Sequence, residues 1–480
     1  MSWSLNKRLP ALLACLLLLT VAALADHPST GIAKSPLKIP QNFVNVHILR
    51  NLDLSSAVVR ELTTVVVKNV ANDAQSEYFV PIPEQIDAHV AIVEASNKKS
   101  GTQLEVKKDS FDSEKLIQYY KVILQQPLQP QEKDTITLKV VYTHVLSSLP
   151  KHIPQVAKQF LVYTGNVFVF SAYTSEKQKT VVKLPTTTVV TYTNNEGTVT
   201  KTGNLINYGP FNAISPHQHT RLYVHYEGTK PLPTFSRVRR ELEVSHWGGN
   251  LAVEEHFELK HDGARLKTQF SRVEFQQSAH VHAQTAVLKS LTFTLPAGAS
   301  DPYYRDEIGN VSTSNFRSTP RGATLELRPR YPLYGGWNYT WYHGYNLPLD
   351  AFARFNKEKA VYVLNVPFLK TVTDATVDRA IIKVLLPEGA INVKVTLPFA
   401  VDSETHGKHL TYLDTTGRYA VVLEKHNVVD EHAQNFQITY EYPPLELLRK
   451  PLAASAAFFA LFVISAVLSR VEFRITGKVR

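Results

Sequence analysis

Cysteine is all but missing from this chain of 480 residues: the single thiol, Cys15, sits in an apolar N-terminal stretch. A mature protein that has lost that stretch has no disulfide, no CxxC redox pair, no cysteine nucleophile and no zinc–thiolate site. The signatures of several enzyme classes are missing as well: no G-x-S-x-G elbow, no HExxH helix, no Walker A loop and no G-x-G-x-x-G run. Clustered positive charge is also lacking. The formal charge is +10, but Lys7 and Arg8 supply part of it near the start and Arg470, Arg474, Lys478 and Arg480 another part near the end. The remainder is too dilute for a nucleic-acid surface, so no nucleic-acid partner is expected.

What is present is two membrane signals. Lys7 and Arg8 precede an apolar run to Leu24, and Ala23-Leu24-Ala25 fits a small-x-small cleavage pattern. Residues 1–25 therefore read as a signal peptide cut between Ala25 and Asp26. Near the other end, Leu452–Leu468 carries no charge over 17 residues. With its flanks 451–469 it makes a transmembrane helix about 28 Å long at about 1.5 Å per residue. A cleaved signal followed by one anchor predicts a single-pass type I protein, with most of the chain lumenal and the basic tail 470–480 cytosolic. Ala453, Ala456, Ala457 and Ala460 fall at i, i+3, i+4, i+7 spacing, a small-residue face suited to packing on another membrane helix.

Between these signals the texture is β. Runs such as Glu61–Val70, Tyr119–Leu124, Thr135–Tyr142 and Leu251–Lys260 are rich in valine, isoleucine, threonine and tyrosine, and turn residues bound them. The fold class expected is mainly β: two or three sandwich-like domains in series, then the helix. Residues 26–228 form an N-terminal β domain, 229–236 a proline-bearing linker, and 237–442 a second β region, one unit or two divided near 345–358. Residues 443–450 approach the membrane. Ser271–Lys289 reads as helical. Leu295–Ala299 (LPAGA) and Leu386–Ala390 (LPEGA) echo one another, as similar β units in series would.

Candidate chemistry is thin. His217/His219 and His280/His282 could share a strand face, but neither pair has a carboxylate or cysteine at ligand spacing, so no metal site is assigned. Glu254-Glu255 and Asp306-Glu307 are adjacent carboxylates, which point to opposite faces of a strand and cannot form a glycosidase pair. No catalytic residue and no cofactor are expected. The richest stretch is 301–341, with aromatics, arginines and both N-glycosylation sequons, Asn310-Val-Ser312 and Asn338-Tyr-Thr340. Tyr303, Tyr304, Trp337, Tyr339 and Trp341 are its candidate contacts for a subunit or an acceptor chain, with packing at a domain junction as the alternative.

Several blocks carry a family resemblance: His246-Trp247-Gly248-Gly249-Asn250-Leu251, Tyr303–Ser314, Pro329–Trp337, Tyr345-Asn346-Leu347-Pro348, Leu385–Ala390 and Tyr440–Lys450. Together they resemble the ribophorin I family, the large type I subunit of the eukaryotic oligosaccharyltransferase complex, in its short-tailed fungal form. The resemblance implies a non-catalytic subunit of the endoplasmic reticulum membrane that supports assembly and handles acceptor chains. The implied partners are the other subunits, among them a multi-spanning catalytic one, with nascent polypeptides and membrane lipid. The Trp-Trp-Asp run of the catalytic subunit is absent here, and so short a tail argues against ribosome docking through this subunit. A stand-alone lumenal lectin or chaperone-like cargo receptor is the alternative; a β-rich hydrolase is a third reading, without a constellation to support it.

Overall fold

The computed structural model describes residues 39–195, 197–281, 284–411 and 414–471. The expected signal peptide with its Ala25/Asp26 cleavage site, His282 and most of the tail lie outside the described residues. The fold is mainly β, with several sheets and one long apolar C-terminal helix. Strand parity sets the layers: Val59–Asn69 and Asn250–His261 bury alternate side chains along nearly their whole length.

The strands form two copies of one topology. Each copy is built on a central first strand, Phe43–Asp53 in one and Pro233–Ser245 in the other. The next strand in sequence, Val59–Asn69 or Asn250–His261, pairs antiparallel on one side. A later strand, Ser175–Lys183 or Thr376–Glu388, pairs parallel on the other. Lys133–Tyr142 and Asn338–Pro348 extend the first flank; Leu205–Ile214 and Arg418–Val428 extend the second. A four-stranded layer follows the same rule. Val189–Tyr192, Arg221–Gly228, Gln159–Asn166 and Leu146–Ser148 stand in the order of Ile391–Thr396, Asn435–Glu441, Val361–Pro367 and Ala353–Asn356. Even the outlying ribbon repeats: Gln75–Pro83, Ile117–Leu128 and Gln103–Asp112 match Leu291–Leu295, Gly322–Leu327 and Ser314–Thr319. Two short strands are left over, His152–Ile153 and Arg265–Leu266, and they pair with each other across the two copies.

The LPAGA and LPEGA echoes do not mark this repeat. Leu295 ends the counterpart of Gln75–Pro83, whereas Leu386 belongs to the counterpart of Ser175–Lys183. The true partner of Leu386-Pro387 is Leu184-Pro185. Each pair begins four residues beyond the residue facing an arginine of the central strand, Ile382 opposite Arg240 and Thr180 opposite Arg50. The linker expectation also needs correction. Pro233 is the first residue of a strand and faces His261, a place where a proline costs no ladder bond. Near 345–358, Tyr345 lies inside the strand Asn338–Pro348, and one apolar core runs from Phe235 to Tyr440. Helix Arg272–Val281 occupies part of the stretch read as helical.

Those two arginines hold each copy together at the same point. Arg50 meets Glu61 at 2.7 Å and donates to the Asn166 carbonyl at 2.6 Å. Arg240 meets Glu255 at 3.1 Å and donates to the Pro367 carbonyl at 2.7 Å. Asn166 and Pro367 end equivalent strands of the four-stranded layer, so in both copies a buried guanidinium on the main sheet grips the end of the second layer. In the second copy the His343 ring also reaches Glu255, at 3.1 Å. Burial works to raise the Glu255 pKa, yet Arg240 and His343 hold it below the usual carboxylate value.

The copies meet through a small apolar patch, Val58, Val141 and Val429, ringed by charge. Arg60 of the first copy lies 2.9 Å from Asp374, 3.5 Å from Asp430 and 2.8 Å from Glu431 of the second. His144 contacts Asp378 at 2.6 Å.

Two outcomes are expected. Arg240→Met takes the guanidinium away from buried Glu255, leaving it only His343, and should cost about 3–5 kcal/mol in unfolding measurements, as should Arg50→Met through Glu61. Replacing Arg240 and Glu255 together by apolar residues should recover most of the loss; a single variant that melts like the wild type contradicts the account. The second concerns pH. The hydrogen bond to Asp378 raises the His144 pKa above its ordinary value, against the opposing effect of burial. The docked state therefore binds the proton more tightly. Its contribution is fully present below about pH 6.5 and fades as pH climbs through the raised pKa. The melting gap between wild type and His144→Gln should be widest near pH 6 and should close by about pH 8.5.

Candidate functional site

Asp306 organises the stretch 301–341. It ends strand Ser300–Asp306, and its buried carboxylate accepts hydrogen bonds from the backbone N–H groups of Ile308 at 3.0 Å and Gly309 at 3.1 Å. Tyr339 donates to it at 3.2 Å, and Arg330 pairs with it and also donates to the Asn310 carbonyl at 3.0 Å. Burial alone would raise the Asp306 pKa, but Arg330 and the turn N–H groups hold it low. Gly309, at φ +140, occupies backbone space that a side chain would strain. The acceptor oxygens of Asp306 are taken up by the turn, Arg330 and Tyr339, and Glu307 faces outward. The doublet is a structural device.

The aromatic candidates separate by face. Tyr304, Tyr339 and Trp341 are buried. Tyr304 and Tyr339 share a hydroxyl contact of 2.7 Å, Trp341 stacks on Phe257 at 4.9 Å, and Phe257 stacks on His343 at 5.1 Å. These three cannot offer a surface to a partner, because strand parity turns them into the core. Trp337 is half-buried between Phe270 and Tyr334. Tyr303 alone of the five is exposed.

Tyr303 belongs to a polar platform on the outer face of the second copy's main sheet. Its hydroxyl donates to Glu254 at 2.6 Å, His256 contacts the other Glu254 oxygen at 2.8 Å, and His256 stacks on Tyr342 at 5.0 Å. The hydrogen bond from His256, followed by that from Tyr303, keeps the Glu254 pKa low against burial. Beside them a cleft of about 480 Å³ is lined by Arg237, Arg239, His256, Glu307, Thr340 and Tyr342. Mixed charge with one aromatic shelf suits a polar, extended ligand better than an apolar one. Both sequons flank this face, with Asn310 and Asn338 exposed. As parity requires, Glu254 and Glu255 point to opposite sides.

The remaining candidates stand apart. His217 packs against Phe170 and Tyr119, and burial lowers its pKa. Ala453, Ala456, Ala457 and Ala460 lie exposed on helix Arg449–Leu468, beyond its first turn, where Lys450 reaches Asp414. With its lead-in it forms Pro444–Leu468, the one described helix long and apolar enough to cross a membrane. Sequence reading passes over Arg240 and His343 and takes Glu255 only as half of an adjacent carboxylate pair. Parity was the available signal, because Arg240 lies in step with buried Val238 and Leu242, and Glu255 with Val253 and Phe257.

Comparison with known proteins bears on this arrangement. A family model described as Ribophorin I matches residues 43–469. Dolichyl-diphosphooligosaccharide–protein glycosyltransferase subunit 1 of Caenorhabditis elegans is 38% identical over 434 residues, covering 89% of this chain and 72% of that protein. Subunit 1B of Arabidopsis thaliana is 35% identical over 447 residues, covering 91% and 95%. Among solved structures, leukotriene A4 hydrolase of Saccharomyces cerevisiae aligns with 46% of this chain and 35% of its own at 12% identity and a TM-score of 0.29, too weak a likeness to bear on activity.

Proposed function

The chain belongs to the ribophorin I family, and from that premise we propose that it is a non-catalytic subunit of the oligosaccharyltransferase complex in the endoplasmic reticulum membrane. There it supports assembly of the complex and handles acceptor chains. The observation that carries this reading is the family match along nearly the whole chain, from the first described strand to the membrane helix. The buried acids support it, because each is engaged in holding the fold: Asp306 at its turn, Glu255 with Arg240, and Glu388 accepting from the N–H and hydroxyl groups of Thr415 and Thr416. The partners are the other subunits, including the multi-spanning catalytic one, together with nascent polypeptides and lipid. Acceptor chains meet the Tyr303 face or the edge of strand Ser300–Asp306 ahead of its bridge to Asn310, where an extended peptide can add main-chain bonds. In this reading the two copies are the lumenal domains, and residues 1–25 are removed after Ala25.

Purification of the tagged full chain in mild detergent should bring down a multi-spanning glycosyltransferase subunit, and depletion should lower sequon occupancy across secreted proteins. A lone monomer with occupancy unchanged after depletion refutes the proposal. Saccharide binding by that monomer would favour the lectin alternative.

Asn310 and Asn338 are proposed as glycosylated. Intact mass before and after enzymatic glycan removal should drop by two glycans in the wild type and by one in Asn310→Gln or Asn338→Gln. An unchanged wild-type mass removes the assignment.

A further inference from the structure

The two copies stack head to tail, and the same end of each needs a cover. In the first copy that end carries the turn 54–58 after the first strand, and its Val58 is buried against Val141 and Val429 at the junction with the second copy. The chain leaves the first copy from this end, after strand Arg221–Gly228, and enters the second. In the second copy the equivalent turn is 246–249, and it carries Trp247, 76% exposed. The chain again leaves from this end, after strand Asn435–Glu441, and enters helix Arg449–Leu468. Around Trp247 the same end presents Leu410 at 70%, Leu445 at 78% and Leu448 at 51% exposure. So large an apolar set on one end, with no described residue over it, marks a contact surface.

The helix says what covers it. Its 20 residues span about 30 Å, the thickness of a hydrocarbon core, so its Arg449 end stands at the headgroup level. The Trp247 turn is fastened to the lead-in of that helix. His246 contacts the Tyr440 hydroxyl at 2.8 Å and stacks on Tyr442 at 4.9 Å. Lys450 reaches the buried Asp414 at 2.8 Å, and Glu446 fills the space beside Gly389. A cleft of about 380 Å³ opens between the turn and the first helical turns, lined by Trp247, Tyr442, Leu447, Pro451 and Ala454. The exposed Lys357 and Lys359 stand at the same end, where lipid phosphates would meet them.

We propose that this end of the second copy is a membrane-seating surface: Trp247, Leu410, Leu445 and Leu448 enter the interfacial layer of the bilayer, and the cleft beside Pro451 and Ala454 takes a phospholipid. The bilayer covers the second copy as the second copy covers the first. Tryptophan is suited to this level, with an apolar body and a polar N–H. The proposal rests on the membrane reading of the C-terminal helix, and its test separates the two.

The full chain is reconstituted in phosphatidylcholine vesicles whose acyl chains are brominated either near the headgroup or near the chain end. Headgroup-proximal bromine should quench a component of tryptophan emission that chain-end bromine spares, and Trp247→Phe should abolish that component, leaving half-buried Trp337 and buried Trp341 as background. Leu445→Ser with Leu448→Ser should weaken the quenching without detaching the protein. Release of the chain by alkaline carbonate would overturn the membrane reading and the seating with it. A chain that stays embedded while Trp247 emission is unquenched, or is quenched equally in Trp247→Phe, overturns the seating alone. Cross-linking of Trp247 to another subunit in the native complex, without lipid quenching, does the same.

Discussion

A guanidinium buried between two β layers is the constraint on which both copies depend. Taking Arg50 or Arg240 out of water costs several kcal/mol, and the cost is offset only where carboxylate and carbonyl oxygens converge. In each copy that convergence needs three strands in one register: the central strand, its antiparallel neighbour with the glutamate, and the end of a strand from the second layer. Hydrophobic contacts alone tolerate small slips of one layer over the other. A buried ion with two separate acceptors does not, since a slip would carry the second layer's carbonyl out of hydrogen-bond reach and leave the guanidinium underpaired. The glutamate, by contrast, has moved. Glu255 faces Arg240 directly, whereas Thr63 faces Arg50 and Glu61 reaches it from the diagonal position two residues away. The requirement falls on the charge and its reach, and less on the rung.

The junction between copies is built differently. Its apolar part is small, and its ion pairs around Arg60 are partly solvated, so each contributes little and is screened by salt. Three carboxylates around one arginine, with Lys139 reaching Glu431 at 3.4 Å and Lys230 reaching Asp374 at 3.2 Å, form a network that fixes orientation more than it adds stability. The short parallel pairing of His152–Ile153 with Arg265–Leu266 gives that orientation a second anchor. Two anchors some distance apart prevent a hinge about either one.

Much of this was legible in the residues, and the rest has a physical reason for being hidden. The β class, the terminal helix and the opposed faces of Glu254 and Glu255 follow from period and composition. The duplication did not show, because a shared topology needs only matching parity and turns, which many sequences satisfy. The LPAGA and LPEGA motifs are alike because each closes a strand, and closing a strand is not a position in a fold. The buried arginines were readable as charges in step with buried neighbours; without the second layer in view, the same pattern also describes an edge strand that admits a charge. The aromatics of 301–341 left contact and packing both open for a related reason: a strand with aromatics at successive positions gives no sign of which face is covered.

The copies diverge at the ribbon, and there the second copy acquires a surface. In the first copy, strand Val90–Asn97 turns through Asn97, whose side chain accepts from Lys99 and Ser100, directly into Gln103–Asp112. The hairpin keeps the chain in the plane, and the main sheet grows to ten strands. In the second copy, Asp306 captures the N–H groups of Ile308 and Gly309 and turns the chain out of the sheet, so the following hairpin forms a sheet of its own. Strand Ser300–Asp306, unlike its counterpart, is left as an edge. An open edge invites wrong pairing, and this one is guarded. Its ladder slips between Ser300 and Tyr303, Asp301 sits at φ +50, and Asn310 folds back on Arg305. Such an edge resists another folded sheet but admits a flexible strand that can follow its irregularities.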